Sequence, residues 1–493
     1  ADGSRVSYTY TPDGKLATRV WARGVTTGYS YDGLGQLAGM DYGDATPDVA
    51  FAYDRMGRMT SATTSVSTNL FEYSGLEIES EKQNGVAVTR TYDGLGRSAG
   101  LSMDNDYAVV YGYDALGRFA SVSSSVASVC SAVGYSYVSG SGLLASMTNS
   151  AGFSWVRVYE QNRDLIASVE NGFGGDTVSD FAYVNDADGR RERRVDSGSA
   201  TNLFASNGRG EVTEAVMGAD IYAYGYDDIG NRVLSALNTV TNTYAANSLN
   251  QYTQVSGGMS ASPTYDLDGN MTFDGVLWRH SWDAENRLVG SEPYGLATNG
   301  AVMLEYGYNH KNLCVAKIKK RLSGRGAGYP MDPSQPGTWD AVETRRYVWD
   351  GYNIAAEIVI DETVAATSVT YYTWGLDLSG TLQGAGGAGG LLAETKMTAS
   401  TTNTYYAFGD ANGNVTEYAD ATGTVRGHYE YSPFGEITAQ SGDLADTFTH
   451  RFSTKPYDSM TGQARYQLRP YKPLLGWFNR DPIGEQGGLK LNG

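Results

Sequence analysis

Only two cysteines, Cys130 and Cys314, occur among 493 residues, and neither sits in a Cys-x-x-Cys or His-rich context. A structural zinc site is excluded by ligand count. Whether the two thiols pair is not readable from their positions, and unpaired sheet thiols are the simpler expectation. Histidine is as scarce: His280, His310, His428 and His450 show no paired ligand spacing. Positive charge is in deficit, with 37 Lys and Arg against 55 Asp and Glu, a formal net charge of −18. That balance argues against nucleic acid, whose phosphates demand basic patches, and against an anionic membrane surface. No apolar run is long enough to span a bilayer, so no stable membrane insertion is expected. Windows with the three-to-four-residue apolar spacing of an amphipathic helix are missing as well. No signal peptide is readable. The opening Ala1-Asp2-Gly3-Ser4 carries no initiator methionine, so the chain is expected to be a piece of something longer, and the missing signal does not argue for the cytoplasm.

What the chain has in abundance is glycine, 62 residues, and tyrosine, 37. They recur together in Tyr-x-Tyr-Asp-x-x-Gly-Arg/Asn, best seen as Tyr111-Gly112-Tyr113-Asp114-Ala115-Leu116-Gly117-Arg118. Copies run from Tyr29 to Gln36, Phe51 to Arg58 and Tyr224 to Arg232, with shorter ones at Tyr92 and Tyr265. Aromatics at i and i+2 share one face of a strand. The aspartate ends that strand, since its short side chain bonds backbone N–H groups ahead of it. The glycine four residues after the second tyrosine takes φ > 0 and closes the turn. From Tyr31 to Tyr53 is 22 residues and from Tyr92 to Tyr113 is 21, room for two strands and their turns. The expected fold is all-β, a long antiparallel ribbon of hairpins. One such unit cannot bury its aromatic face alone and needs neighbours.

Along the chain the pattern loosens between residues 140 and 220. The charged run Arg190 to Arg194 reads as a solvated outer face or a wide turn in preference to a basic ligand patch. In Trp282-Asp283-Ala284-Glu285-Asn286-Arg287 asparagine takes the place of the turn glycine. Ser323 to Pro336 reads as an irregular loop. The glycine run Gly384 to Gly390 lacks the Gly-Lys-Ser/Thr ending of a phosphate loop, and close packing of two backbones accounts for it better. No cofactor and no metal is expected.

The last hundred residues are more specific. Trp374-Gly375-Leu376-Asp377-Leu378-Ser379-Gly380, Tyr406 to Val415, His428 to Glu436, and Arg480-Asp481-Pro482-Ile483-Gly484-Glu485 followed by Gly487-Gly488-Leu489 form a consecutive string. With the repeat, it resembles the RHS/YD-repeat proteins and their C-terminal RHS-associated core domain. The resemblance implies a ribbon wound into a hollow shell over residues 1–370 and a core domain over 371–493 that plugs one end. It implies a shell enclosing a toxin polypeptide or other protein cargo, a secretion or toxin-complex partner closing the other end, and a secreted or cell-surface location. In toxin members the core domain is an aspartyl autoprotease that frees the cargo. Teneurins use a related shell for adhesion.

Carried over by position, Asp481 matches the first protease aspartate, and Arg469 the assisting arginine, with Pro473 and Gly476 at the following motif places. Two close carboxyls share a proton and act as base and acid, and an arginine orients one of them. The chain as given ends at Gly493, before a second Asp-Pro-x-Gly occurs, and Pro470 stands where the family has tyrosine. The expectation is therefore a non-catalytic encapsulating shell. The alternatives are a cell-surface adhesion or carbohydrate-binding module, in which exposed tyrosines stack on sugars, and an autoprotease active in a longer chain.

Overall fold

The structure, a computed structural model, describes residues 5–482 except 105, 128, 199, 296 and 325–336. Most of the loop expected over Ser323–Pro336, and the motif residues after Pro482, lie outside these. The described residues are almost entirely antiparallel strand; Ala445–Thr447 and Phe452–Thr454, two single 3₁₀ turns, are their only helical elements. No helix among them is long and apolar enough to cross a membrane.

Consecutive strands pair in sequence order. Twenty-four of them, from Ser7–Tyr10 to Tyr252–Gly257, make one continuous sheet. Fourteen more, from Thr264–Tyr265 to Ile437–Ser441, make a second. The division expected at residue 370 falls inside the strand Ala366–Trp374, and ribbon pairing runs through it to Ser441. A four-stranded sheet, from Tyr457–Asp458 to Gly476–Trp477, follows.

Each copy of the motif performs one local operation. In the best copy, Gly117 N–H donates to Asp114 C=O and Asp114 N–H to Arg118 C=O, both at 2.9 Å. That is a tight turn closed by a residue at positive φ, +80° at Gly117, with a bulge in register at Tyr113. One Asp114 oxygen accepts the N–H groups of Leu116 and Arg118, and the other accepts Arg118 Nε at 2.8 Å. Asn286 takes φ +57° where glycine is absent, as expected.

The same residues tie each hairpin to the next. Tyr113 donates its hydroxyl to Ser98 C=O at 2.8 Å, Tyr137 to Phe119 at 2.6 Å, and Tyr226 to Val212 at 2.8 Å. The arginine reaches the other way: Arg97 stacks 4.0 Å from the Tyr113 ring and bonds Gly117 C=O, and Arg118 stacks on Tyr137 and bonds Ser141 C=O. Tyrosine, aspartate and arginine of one repeat thus serve three hairpins.

The second sheet lies along the first as the next turn of one spiral. Bonded partners across the seam are 220 to 266 residues apart: Arg191 with Ala411, Asn171 with Gly409, Tyr107 with Tyr372, and Gln83 with Trp349. One buried apolar cluster runs through both turns, joining Tyr107, Phe153, Trp155 and Phe173 to Tyr371, Tyr406 and Phe408. The seam is closed by side chains bonding backbone. Trp21 Nε1 donates to Ala284 C=O at 2.5 Å, and Ala284 N–H donates to Thr46 Oγ1 at 2.7 Å. Ala411 repeats the arrangement, its N–H on Tyr183 Oη at 3.0 Å and its C=O on Arg191 at 3.1 Å.

The seam corrects the reading of Arg190 to Arg194 as a solvated face or wide turn. Arg190 closes the turn that begins at Asp186, and Glu192 and Arg193 on the following strand Arg191–Asp196 are exposed, as expected; Arg191 and Arg194 are not. Arg191 caps the Ala411 turn, and Arg194, half-buried, pairs with Asp196, at 2.6 Å, and with Asp410 of the next turn, at 3.5 Å. A register shift opposite Val184 and Asn185 lets Arg191 and Arg194, three residues apart, share the face at the seam. The glycine run behaves as expected: a Cβ on Gly389 would stand 3.3 Å from Gly413 Cα.

Candidate functional site

After Ser441 the chain leaves the ribbon and folds back over the second turn. Phe448 stacks on Tyr418, with ring centroids 4.1 Å apart and planes 9° off parallel. His450 packs edge-on against Tyr372 and Trp374. Ion pairs on two buried aspartates anchor the four-stranded sheet to the start of that turn: Lys317 with Asp458 at 2.7 Å and Lys472 with Asp274 at 3.2 Å. Arg465, half-buried, stacks 3.9 Å from Tyr306 and donates to the Tyr308 hydroxyl. Phe478 is fully buried, and its carbonyl accepts Met271 N–H at 2.8 Å. Asn479 donates to Asn286 C=O at 3.0 Å. These contacts deliver Arg480 and Asp481 to the seam between the two turns, beside Trp21 and Glu285.

There the structure brings together the two residues singled out by motif. Arg469 Nη2 stands 2.9 Å from Asp481 Oδ2. The guanidinium lies 4.1 Å from the Trp477 ring, itself packed on Tyr466 and Tyr471. Burial lowers the Arg469 pKa from its usual value, and the Asp481 carboxylate opposes that shift. An arginine so held fixes the orientation of the carboxylate it pairs with.

Asp481 borders a cavity of about 700 Å³, walled by Arg19 and Trp21 of the first turn, Asp268 and Glu285 of the second, and Arg480. Asp268 is buried, with Arg23 Nε 2.9 Å away. Burial raises its carboxyl above the usual range, and Arg23 works against that. The cavity wall therefore holds one carboxylate paired to an arginine at the surface and one carboxyl deep in the seam. Sequence reasoning missed Asp268 and Glu285. Each occupies an interior position of a hairpin turn, where acidic residues are common, and the spiral alone brings them to Asp481.

No family model matches the chain. The Tc holotoxin pore of Photorhabdus luminescens superposes over 99% of this chain with a TM-score of 0.79, at 14% identity. The chain has the fold of the Tc toxin shell. A TcdB2–TccC3 crystal structure without its hypervariable C-terminal region matches with a TM-score of 0.74, also at 14% identity and over 99% of this chain. The chain spans 26% and 27% of those two solved chains. Among curated proteins, double-stranded DNA deaminase toxin A of Burkholderia cenocepacia is 24% identical over 224 residues, 43% of this chain and 14% of that protein.

Proposed function

We propose that this chain is part of an encapsulating shell of an RHS-type toxin-delivery protein, secreted or at the cell surface, holding a protein cargo. The observation that carries the reading is the seam: a ribbon bonded to its own next turn through buried side chain–backbone contacts builds a continuous wall of two turns. The core region, 371–493, would close one end, and a toxin-complex or secretion partner the other. The likeness to toxin chains supports this assignment. Limited proteolysis of the full-length gene product tests it. A cargo segment inside the shell survives protease concentrations that digest the same segment when free; equal digestion of the two overturns the reading.

One observation favours a second reading, autoproteolysis in the longer chain: Asp481, paired with Arg469, borders a roomy cavity instead of being filled in. Asp481→Asn keeps size and hydrogen bonding and removes the base. A cleavage product that forms in the wild type and not in this variant supports the reading; an intact wild-type chain ends it. The adhesion reading has less support, because many motif tyrosines already donate their hydroxyls to backbone carbonyls within the ribbon.

A further inference from the structure

We propose that a small cavity between the fold-back segment and the second turn binds a single chloride-sized anion. The cavity has a volume of about 20 Å³ and lies where His450, Lys455 and Arg465 of the fold-back meet Asn353 and Trp374 of the ribbon. One water fills about 10–15 Å³ of such space, so the cavity takes one atom-sized occupant and is too small for phosphate, sulfate or a carboxylate group.

Two positive charges border this space, and neither has an ion-pair partner among the described residues. Lys455 is 5% exposed, and its ammonium donates to Gly386 C=O. Arg465 donates through Nη2 to the Tyr308 hydroxyl at 3.2 Å, while its buried Nη1 bonds nothing. His450, 2% exposed, leaves Nδ1 without a partner, and a neutral ring with its proton there is a further donor. Asn353, also buried, borders the cavity with an unbonded Oδ1; its amide turned over presents Nδ2 in that place.

The carboxylates whose fields reach these groups are engaged elsewhere. Asp377, which acts on Lys455, accepts the N–H groups of Ser379 at 2.9 Å, Ala385 at 2.7 Å and Gly387 at 3.1 Å. Asp458, which feels Arg465, is paired with Lys317 at 2.7 Å. Glu357, whose charge reaches His450, is held by Arg345 at 2.9 Å and by the Tyr372 hydroxyl at 3.0 Å. Burial accordingly holds the Lys455 pKa down to about 8, and Asp377 offsets only part of the loss. Water in the cavity would satisfy its donors and leave both charges uncompensated; an anion does both. The bound ion bridges two side chains of the fold-back beside the ribbon, so it stabilises the folded chain in proportion to its occupancy.

Two measurements test the site. Crystals of the protein are soaked in sodium bromide, bromide standing in for chloride, and anomalous diffraction is recorded at the bromine edge. The expected result is a bromide peak in the cavity, in contact with Lys455 and Arg465. Bromide at surface positions only, with water or nothing in the cavity, overturns the proposal. In solution, Tm is followed as chloride replaces gluconate, an anion too large to enter, at constant ionic strength. Wild type should gain about 2 °C relative to Lys455→Met. Equal responses of the two proteins overturn the proposal; if Lys455→Met does not fold, the bromide map decides alone.

Discussion

Gln83 bonds both backbone groups of Trp349, a residue 266 positions away: its Oε1 accepts the Trp349 N–H at 2.9 Å, and its Nε2 donates to the Trp349 carbonyl at 2.6 Å. A side-chain amide has the donor and acceptor of a peptide unit, so it substitutes for a neighbouring strand where two ribbon turns meet. Both residues are buried, and water has no ready access to replace either bond.

Gln83→Leu keeps the bulk and orphans two buried backbone groups, at about 1–3 kcal/mol each. Gln36 makes a comparable bond to Gly57 C=O on the exposed rim, at 3.1 Å. Thermal unfolding of the two leucine variants should therefore separate clearly, with Gln83→Leu much the lower in Tm. Equal effects would mean that the seam contributes no more than the surface.

Within the repeat, Tyr113→Phe removes one hydroxyl bond and should cost about 0.5–1.5 kcal/mol. Asp114→Ala removes the acceptor for two N–H groups and for Arg118, and should cost more. Because a ribbon unfolds in segments, hydrogen exchange is the suitable readout. Loss of protection should centre on residues 98–137 in both variants, and deprotection spread evenly over the chain would refute the local tie.

Two histidines bind the core region to the second turn in neutral form. Burial pushes His450 down to about 3 and His280 to about 4, the latter against the Phe478 ring. Depressed folded-state values mean that the unfolded chain takes up protons first as pH falls. Their contribution is complete above pH 6.5 and is lost as pH drops from there toward 4. Acidification should lower stability progressively over that window, and His450→Phe should flatten the profile. An unchanged profile in the variant would exclude His450 as a contributor.

His428 carries the opposite sign. Its hydrogen bond with Glu417, at 3.0 Å, raises its pKa, with Glu430 adding to the effect, and Glu417 in turn accepts a bond from Ser179 of the first turn. That contribution is complete below pH 6.5 and is lost as pH rises through the elevated folded value. Exchange at the strand Asp176–Asn185 should quicken from pH 6 to 8.5, after correction for intrinsic rate, and the excess should vanish in His428→Gln. The same excess in the variant would remove His428 from the seam.

The hairpins were readable because their signals are local. Asp114 and Gly117 act within five residues of each other, and Asn286 replaces glycine for a reason confined to its own φ. The seam was not readable. Arg191 and Arg194 look like any charged run until the chain has coiled through 220 residues and returned. Arg469 and Asp481 were found by motif and meet at 2.9 Å, whereas Asp268 and Glu285 reach the same cavity only through that coil.

The most direct test of the shell is an electron cryomicroscopy map of the full-length gene product. The account predicts a β-ribbon wall wound in stacked turns, with the Gln83–Trp349 seam in place, around an interior holding weak density for unfolded polypeptide. A solid interior filled by packed side chains, or an open flat solenoid, would contradict it.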